Sequence, residues 1–294
     1  MAKVLIIGGL KADKKKQDEY ARSLNLTKSN HKFTEVKFDQ IFVEIKPDKF
    51  TVSELKTNRD IASYDLVIFR GKVRPNAELA YVISRYLIIK KKKFWNDYSI
   101  YRPPSKLAQA VLFYEFKVPF LQCLYSLDRK ALKQKAISEL EFPLILKDNY
   151  GSHGYNNYFI KSKQELSKLL TENMTVNFIV QKYCPNDGDY RVLVMGDKAP
   201  LQIHRKSVAG SHLNNTSQGG SAKLSVHLPA KVLNQSRKLA RSLGMTVAGI
   251  DILEDSSNGQ YYFLEINSQP QLITGSFIKE KKQQLLKLLD TLTE

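Results

Sequence analysis

The sequence predicts an α/β fold for the first third of the chain and an α+β fold for the rest. Two short apolar runs, at residues 4–7 and 66–69, are typical of strands buried on both faces of a parallel sheet. A stretch with helical character follows each run, at 13–24 and 76–89. After residue 105, short strands instead follow one another with turn residues between them. This change of pattern predicts two different architectures in one chain.

A domain boundary is predicted at residue 104. Pro103 and Pro104 interrupt the chain, and Ser105 is a suitable N-cap for a helix from Lys106 to about residue 116. We therefore expect an N-terminal α/β domain over 1–104, and two further subdomains over 105–185 and 186–294.

The elements predicted after this boundary alternate between helices and short strands. Asp128 caps a helix that ends near residue 140, and Gly244 ends a later helix that begins near residue 229. Two further helices are predicted at 163–170 and 278–292. The predicted strands lie at 144–147, 158–160, 178–181, 191–195, 201–204, 247–253 and 261–266, the last two joined as a hairpin by a turn at 256–259.

Composition excludes several classes of protein. The 294 residues are 43% hydrophobic and 26% charged, which is ordinary for a folded protein and excludes a disordered, collagen-like or coiled-coil chain. Cys123 and Cys184 form no CxxC pair, so neither a disulfide framework nor a zinc knuckle is expected. Because no apolar run approaches the length of a signal peptide or a membrane span, we expect a soluble, cytoplasmic protein with no membrane partner.

The charge balance indicates an anionic partner. Lysine and arginine total 46 and aspartate and glutamate total 29, which gives a formal net charge of +17. Such a surface attracts nucleotides, nucleic acid or acidic protein tails, although a basic surface can also serve solubility alone. Net charge by itself does not distinguish these alternatives.

The last hairpin carries a predicted metal site. Asp251 lies seven residues before Asn258 and Glu265 lies seven residues after it, so a turn centred there places the two carboxylates opposite each other. Asn267 is two residues beyond Glu265 and leaves the same face of the strand. Three oxygen ligands on one face suit a hard cation such as Mg²⁺, and the apolar flanks make a solvent-facing carboxylate pair the weaker interpretation.

A lysine and a glycine loop form a predicted phosphate site. Lys147 ends an apolar strand, and the loop Gly151-Ser152-His153-Gly154 follows closely. A lysine supplies a point charge for phosphate, and backbone N–H groups of a small-residue loop can close over phosphate oxygens. The loop is not a Walker A sequence, and Gly8-Gly9 lacks the spacing of a dinucleotide-binding motif.

The segment 178–191 is a predicted nucleoside site. It runs from an apolar strand through a polar turn into another strand. Exposed backbone groups beside Tyr183 could read an adenine edge, and Asp189 could accept hydrogen bonds from ribose hydroxyls. Taken alone, the segment would be only a hairpin.

In order, these parts resemble the ATP-grasp superfamily, and within it the ligases of the RimK and glutathione synthase type. The resemblance covers residues 105–275 well and extends to the N-terminal third only as the expected α/β domain that precedes the grasp. Its motifs are Lys106, Lys147 with the loop 151–154, Gln181-Lys182-Tyr183, Gly188-Asp189-Tyr190-Arg191, Gly219-Gly220-Ser221-Ala222, and Asp251 with Glu265-Ile266-Asn267.

The resemblance implies a role for each part of the site. ATP would lie between the two halves of the grasp, with Lys106 and Lys147 on its phosphates. Two Mg²⁺ ions, or Mn²⁺ in their place, would be held by Asp251, Glu265 and Asn267. Arg205 and Arg191 would stabilise an acylphosphate, with Lys147 also in a catalytic role. The remaining nucleotide contacts implied are Ser152, His153 and Gly154 over the phosphates, Gln181, Lys182 and Tyr183 on adenine, Asp189 on ribose, and Asn215.

Two segments depart from the pattern of the ligases that the chain resembles. Where those ligases carry Arg-Ser-Asn after the position of Arg205, this chain has Leu213-Asn214-Asn215, so only the final asparagine is retained. After Asn267 the chain reads Ser-Gln-Pro-Gln where Ser-Pro-Gly would be usual. Both departures lie where the acceptor would bind. The nucleotide and metal sites are therefore retained, while the identity of the acceptor stays open.

The expected activity is therefore that of an ATP- and Mg²⁺-dependent carboxylate–amine ligase that acts through an acylphosphate. Its acceptor would be an amino acid or peptide, and the basic charge suits an acidic peptide or protein tail. One alternative is a kinase on the same scaffold that acts on a polyanion such as an inositol phosphate. Another is a non-catalytic module that binds ATP or nucleic acid. The resemblance also implies a homo-oligomer.

Overall fold

The computed structural model describes residues 1–9, 31–100, 105–151, 154–206, 220–225 and 228–294. Within these ranges the strands are β1 Lys3–Gly9, β2 Lys32–Lys37, β3 Ile41–Lys46, β4 Lys49–Glu54, β5 Leu66–Gly71, β6 Lys93–Trp95, β7 Cys123–Tyr125, β8 Leu144–Asp148, β9 Asn157–Ile160, β10 Phe178–Lys182, β11 Asp189–Met195, β12 Lys198–Lys206, β13 Ser221–Ser225, β14 Val247–Glu254 and β15 Tyr261–Asn267. The helices are α1 Ala77–Ile89, α2 Lys106–Glu115, α3 Arg129–Glu139, α4 Lys163–Glu172, α5 Ala230–Ser242 and α6 Ile278–Thr293.

The N-terminal sheet is parallel and has the order β2-β1-β5-β6. Alternate residues of β1 enter two different cores. Leu5 and Ile7 pack with α1 on one face, whereas Val4 and Ile6 pack on the other face against residues of the C-terminal sheet and α6. This burial on both faces explains the continuous apolar runs and confirms the predicted parallel sheet.

The middle sheet is antiparallel and has the order β7-β10-β8-β9. One face packs on α3 and α4 through buried residues such as Leu144, Leu146 and Val180. The opposite face carries Lys147 and Gln181, which alternate with those core positions. The sheet therefore presents its polar side chains away from its own helices.

The C-terminal sheet is antiparallel, with the order β13-β12-β11-β14-β15. Even-numbered residues of β11 and β14, such as Val192 and Ile250, form a core with α5 and part of α2. Odd-numbered residues such as Leu193 face α6 and the N-terminal sheet. We call this second surface the site face, because its continuation along the strands carries Arg191 and Asp251.

The helices predicted after residue 70 are confirmed, and the caps at Ser105 and Asp128 accept hydrogen bonds from backbone N–H groups as expected. Every predicted strand is also present. Strands β2 to β4, β6, β7 and β13 were not predicted. The helix predicted over 13–24, and Pro103 and Pro104, lie outside the described residues. The three large sheets occupy consecutive stretches of the chain, which supports the division at 104 and 185 as a proposal. In the described part of the chain, no helix is long and apolar enough to cross a membrane.

Candidate active site

The predicted metal ligands share the site face of the last hairpin. Asp251 of β14 lies directly opposite Glu265 of β15, and Asn267 lies opposite Gly249. The pairing register shifts next to Asp251, so that Leu264 is an extra residue on β15. This bulge keeps Glu265 and Asn267 on the same face as Asp251.

Two arginines hold the carboxylates of the neighbouring strands. Arg191 donates from Nε and Nη2 to Asp251 at 2.7 and 2.6 Å, and Arg205 donates in the same way to Asp189 at 2.7 Å for both bonds. Arg205 Nη2 also lies 3.2 Å from Asp251. We call these four residues the guanidinium cluster. Burial opposes the ionisation of Asp251, but Arg191 and Arg205 outweigh it and hold the pKa of this carboxyl below its usual range.

Glu265 is the carboxylate available to a cation. Burial and then the charge of Asp251 raise its pKa, while Lys106, Arg191 and Lys147 act in the opposite direction. Within the described ranges no group of three or more His, Cys, Asp or Glu side chains is placed to bind a metal. The predicted set has only two carboxylates, because its third ligand, Asn267, contributes an amide oxygen. Two facing carboxylates and an amide form an all-oxygen set, which fits Mg²⁺ or Mn²⁺ rather than zinc.

A narrow cavity separates the middle sheet from the last hairpin. Its lining includes Lys106, Lys147, Gln181 and the bulge residue Leu264. Lys147 Nζ donates to Gln181 Oε1 at 2.7 Å. Burial and then the charge of Lys106 lower the pKa of Lys147 to about 8. Burial likewise lowers the pKa of Lys106. Two lysines and an amide therefore converge in one enclosed space.

Helix α2 is fixed against the metal hairpin by buried amides. Gln109 Oε1 accepts a 2.8 Å hydrogen bond from the N–H of Ile266, the residue between Glu265 and Asn267. At the start of the helix, Asn149 accepts from the N–H of Lys106 through its carbonyl and from that of Leu107 through its side chain. These contacts place Lys106 between Gly151 and the hairpin.

A larger open cleft lies on the other side of Lys106. It lies between the N-terminal sheet and the hairpin. Glu265 and Asn267 form part of its floor, and Arg74 contributes a second cation to its wall. Lys106 lines both this cleft and the narrow cavity. Lys106 thus stands where the two spaces meet, and the predicted ligands Glu265 and Asn267 face the open cleft.

The loop after Asn267 is held by the N-terminal sheet. Gln269 Nε2 donates to the carbonyl of Phe69 at 3.1 Å and to Tyr98 Oη at 2.6 Å, and Gln269 Oε1 accepts from the N–H of Gly71. Arg70 donates to the carbonyl of Pro270 at 2.8 Å. The Ser-Gln-Pro-Gln departure therefore makes contacts between domains.

A second buried amide supports the same loop from the end of β6. Asn96 donates to the carbonyls of Val247 and Ser268 at 2.8 and 2.9 Å, and it accepts from the N–H of Val247 at 2.8 Å. Gln109, Arg70 and Asn96 were missed in the sequence, whereas Gln269 was noted there as part of the departure after Asn267. Arg70 and Gly71 could have been found, because they end a predicted parallel strand, at the edge where α/β sheets bind ligands.

The other predicted nucleotide contacts fall into two groups. Ser152, His153 and Asn215 lie outside the described residues. Gly154 is described and has a φ of 81°. Tyr183 packs edge-on against Phe159 with the ring centroids 4.9 Å apart. Lys182 is exposed and donates its backbone N–H to the carbonyl of Gln122 at 2.9 Å, so this donor is not free to read adenine.

Asp189, the predicted ribose contact, is paired with an arginine in this structure. Asp189 lies on β11 opposite Arg205, it is only 7% exposed, and both of its oxygens accept from Arg205. Asp189 is thus held in the same two-point arrangement as Asp251, which accepts from Arg191 through both of its oxygens. This contact orients the guanidinium of Arg205, and the ribose role of Asp189 stays a prediction.

A sequence model described as the RimK-like ATP-grasp domain matches residues 112–290, which is more than half of the chain. The chain belongs to the RimK-like ATP-grasp family. The match includes Lys147 and all three predicted metal ligands, and it begins inside α2, just after Lys106.

Curated relatives are named probable alpha-L-glutamate ligases. One from Shewanella sp. (strain W3-18-1) is 30% identical over 144 residues, 47% of each chain. One from Trichodesmium erythraeum (strain IMS101) is 28% identical over 170 residues, 52% of this chain and 56% of the relative. This RimK-like chain therefore matches about half the length of these relatives.

Solved ATP-grasp structures share the fold over nearly the whole chain. The ATP-grasp ligase PsnB, complexed with minimal precursor, Mg and ADP, gives a TM-score of 0.71 at 15% identity and covers 99% of this chain and 98% of its own. The macrocyclase MdnC from Microcystis aeruginosa MRC, bound with precursor peptide MdnA, gives a TM-score of 0.68 at 14% identity, with 98% and 99% covered. These similarities place the N-terminal sheet, as well as the RimK-like region, in the ATP-grasp fold.

Proposed function

We propose that this RimK-like protein is an ATP- and Mg²⁺-dependent carboxylate–amine ligase. The observation that carries the proposal is the position of Lys106 at the junction of a narrow, lysine-lined cavity and an open cleft whose floor includes Glu265 and Asn267. A reaction that moves a phosphoryl group from a nucleotide to a second substrate needs such a junction, because both reactants must meet at the metal.

The narrow cavity is the proposed nucleotide site. Lys147 and Lys106 would neutralise phosphate oxygens, and their ammonium groups are already desolvated, which strengthens their attraction for an anion. Gln181, hydrogen bonded to Lys147, would orient that lysine. Gly154, at positive φ, would belong to a loop that closes over the phosphates.

Asp251, Glu265 and Asn267 are the residues that would hold Mg²⁺. When bound, the ion would neutralise charge on the phosphates and orient the transferred group. Arg191 orients Asp251 through its two-point contact. Gln109 fixes the backbone between the other two ligands through its bond to Ile266.

The proposed reaction has two steps. A carboxylate oxygen of one substrate attacks the γ-phosphorus of ATP, the bond to the bridging oxygen breaks, and ADP leaves with that electron pair. The nitrogen of an amine then attacks the acyl carbon, the C–O bond to phosphate breaks, inorganic phosphate leaves and the nitrogen loses a proton. Catalysis here needs alignment and charge neutralisation, which Lys106, Lys147 and Arg191 would supply.

The open cleft is the proposed acceptor site, and an acidic peptide or protein tail is the proposed acceptor. Arg74 and Lys106 line this cleft, and the chain carries a net charge of +17. Because curated relatives are named alpha-L-glutamate ligases, L-glutamate is the first amino acid to test.

The experiment measures ADP release with ATP and Mg²⁺ across free amino acids, glutamate-rich peptides and inositol phosphates, with mass spectrometry of the products. The proposal expects acceptor-dependent ADP and phosphate release together with a new amide. A phosphorylated inositol phosphate would instead identify a kinase. ATP binding without turnover across the whole panel would overturn the ligase proposal and favour a binding module.

A further inference from the structure

Helix α6 carries a buried lysine at the end of its apolar stripe. Its buried residues are Lys281, Leu285, Leu288 and Leu289, which are spaced as one face of a helix. The three leucines belong to the core that also contains Leu193, Met195, Leu201 and Ile203 of the site face. Lys281 is 4% exposed and lies one turn before the first leucine.

The strands continue this face from apolar to charged residues. Arg191 precedes Leu193 by two residues on β11, and Arg205 follows Ile203 by two residues on β12, so both arginines leave the same face as those core residues. Helix α6 packs on both of these strands, and Lys281 lies close enough to the two arginines to be affected by their charges. Burial and then the charges of Arg191 and Arg205 lower the pKa of Lys281 to about 8.

The ammonium of Lys281 has a single described partner. Its Nζ donates to the carbonyl of Thr274 at 3.1 Å. A Cβ built on Gly275 would lie 3.9 Å from the same nitrogen, and both Thr274 and Gly275 are exposed. The ammonium thus lies beneath the exposed segment Thr274-Gly275, close to the surface.

The carboxylates of the cluster are already occupied. Asp251 accepts from Arg191, and Asp189 accepts from Arg205, in each case through both oxygens. Among the described residues, none places a carboxylate within 4.0 Å of Lys281. A buried cation with no anion beside it is destabilising, so its presence next to a reaction site indicates a ligand that supplies the missing charge.

We propose that Lys281, together with Arg191, forms an oxyanion-binding subsite on the site face. The oxyanion is either the carboxylate of the substrate or the phosphoryl group that this carboxylate receives. Both present oxygens to cationic N–H donors. The identity of the oxyanion rests on the proposed ligase function, but the existence of the subsite does not.

The test is isothermal titration calorimetry on the full chain saturated with ADP and Mg²⁺, so that the nucleotide cavity is filled. Inorganic phosphate is titrated in one series and L-glutamate in the other, which distinguishes the two sources of the oxyanion. The variants are Lys281→Met and Lys281→Arg. Lys279→Met is the matched control, because Lys279 is exposed near the start of the same helix.

We expect at least one of the two anions to bind the native protein. Lys281→Met should weaken that binding by about tenfold or more, as for loss of a charged hydrogen bond, while Lys281→Arg retains it in part and Lys279→Met leaves it unchanged. Equal affinity in Lys281→Met and native protein, or no binding of either anion to the native ADP complex, would overturn the subsite. Because the assay needs no turnover, a protein that binds the anion but forms no amide would contradict only the ligase function.

Discussion

Asp251 faces Glu265 because β15 has one extra residue, Leu264, at a bulge in its pairing with β14. Nearer the turn the ladder pairs Glu254 with Tyr261 and Ile252 with Phe263, and continuing that register would place Leu264 opposite Asp251. The bulge at Leu264 advances β15 by one residue. A shift of one residue reverses the face of every side chain, so this bulge puts Glu265 on the site face.

Glu265→Gln tests the role of this pair. The amide keeps the shape of the side chain but removes the charge needed to balance a cation, so ATP turnover should fall by at least about a hundredfold, as for loss of an electrostatic contact in the transition state. The measurement is steady-state ADP release with circular dichroism to confirm the fold. Glu254→Gln is the control, because Glu254 lies on the same hairpin and accepts from Tyr190 and Tyr261 rather than facing the predicted metal ligands. Unchanged turnover in Glu265→Gln would refute the metal assignment.

The sequence correctly predicts that Asp251 and Glu265 face each other, but it does not predict the bulge that brings them together. Counting seven residues in each direction from Asn258 gives the correct pair. In the structure the turn is centred midway between Ser257 and Asn258, and the extra residue Leu264 compensates for this offset. A bulge depends on packing across two strands, here of Phe263 and Ile266 into the core with α5, which a single sequence does not reveal.

Other parts of the fold and site could not be predicted, for physical reasons. Strand β2 lies at a sheet edge and has no fully buried residue, and β6 has three residues, so neither gives a periodic apolar signal. Gln109 and Gln269 act through bonds to residues 157 and up to 200 positions away. Such partners are defined only by the tertiary structure, whereas Lys147 and Glu265 belong to local motifs.

Gln269→Ala tests whether the Ser-Gln-Pro-Gln segment after Asn267 positions the acceptor site. Removing the amide breaks three hydrogen bonds to the N-terminal sheet, which should lower the free energy of unfolding by about 1–3 kcal/mol. Because the loop also follows a predicted metal ligand, KM for the acceptor should rise more than KM for ATP. Urea unfolding and substrate titrations measure the two effects. Gln283→Ala, on an exposed position of α6, is the control. Equal changes in both KM values would argue against a positioning role.

The lowered pKa of Lys147 predicts how nucleotide binding depends on pH. Its pKa in the free protein is about 8, so the ammonium is present below pH 8 and is lost as the pH rises above it. If the charged form binds phosphate, the Kd for ADP should increase by up to about tenfold per pH unit between pH 8 and 9. Lys147→Arg stays charged over this range, so its Kd should change less. Calorimetry of both proteins from pH 7 to 9 makes the comparison, and parallel pH profiles would contradict the role of Lys147.

The lowered pKa of Lys281 predicts that the free energy of unfolding rises with pH. Its pKa falls from 10.5 in the unfolded reference to about 8 in the folded protein, because it is buried and faces Arg191 and Arg205. The unfolded chain therefore binds more protons between pH 8 and 10.5, and this lysine destabilises the fold fully below pH 8 and progressively less above it. Lys281→Met should thus be more stable than native protein at pH 7, by on the order of 2–3 kcal/mol.

The difference between the two proteins should shrink as the pH rises from 8 to 10.5. Urea unfolding of the native protein, Lys281→Met and the exposed control Lys279→Met measures it at each pH, and the control should follow the native protein throughout. A native protein that is more stable than Lys281→Met at pH 7 would mean that the ammonium has a compensating anion in the folded state. A pH-independent gap would mean that Lys281 acts through packing alone. The expected narrowing would show that the chain keeps a destabilising buried charge beside the guanidinium cluster, as a subsite for a substrate anion requires.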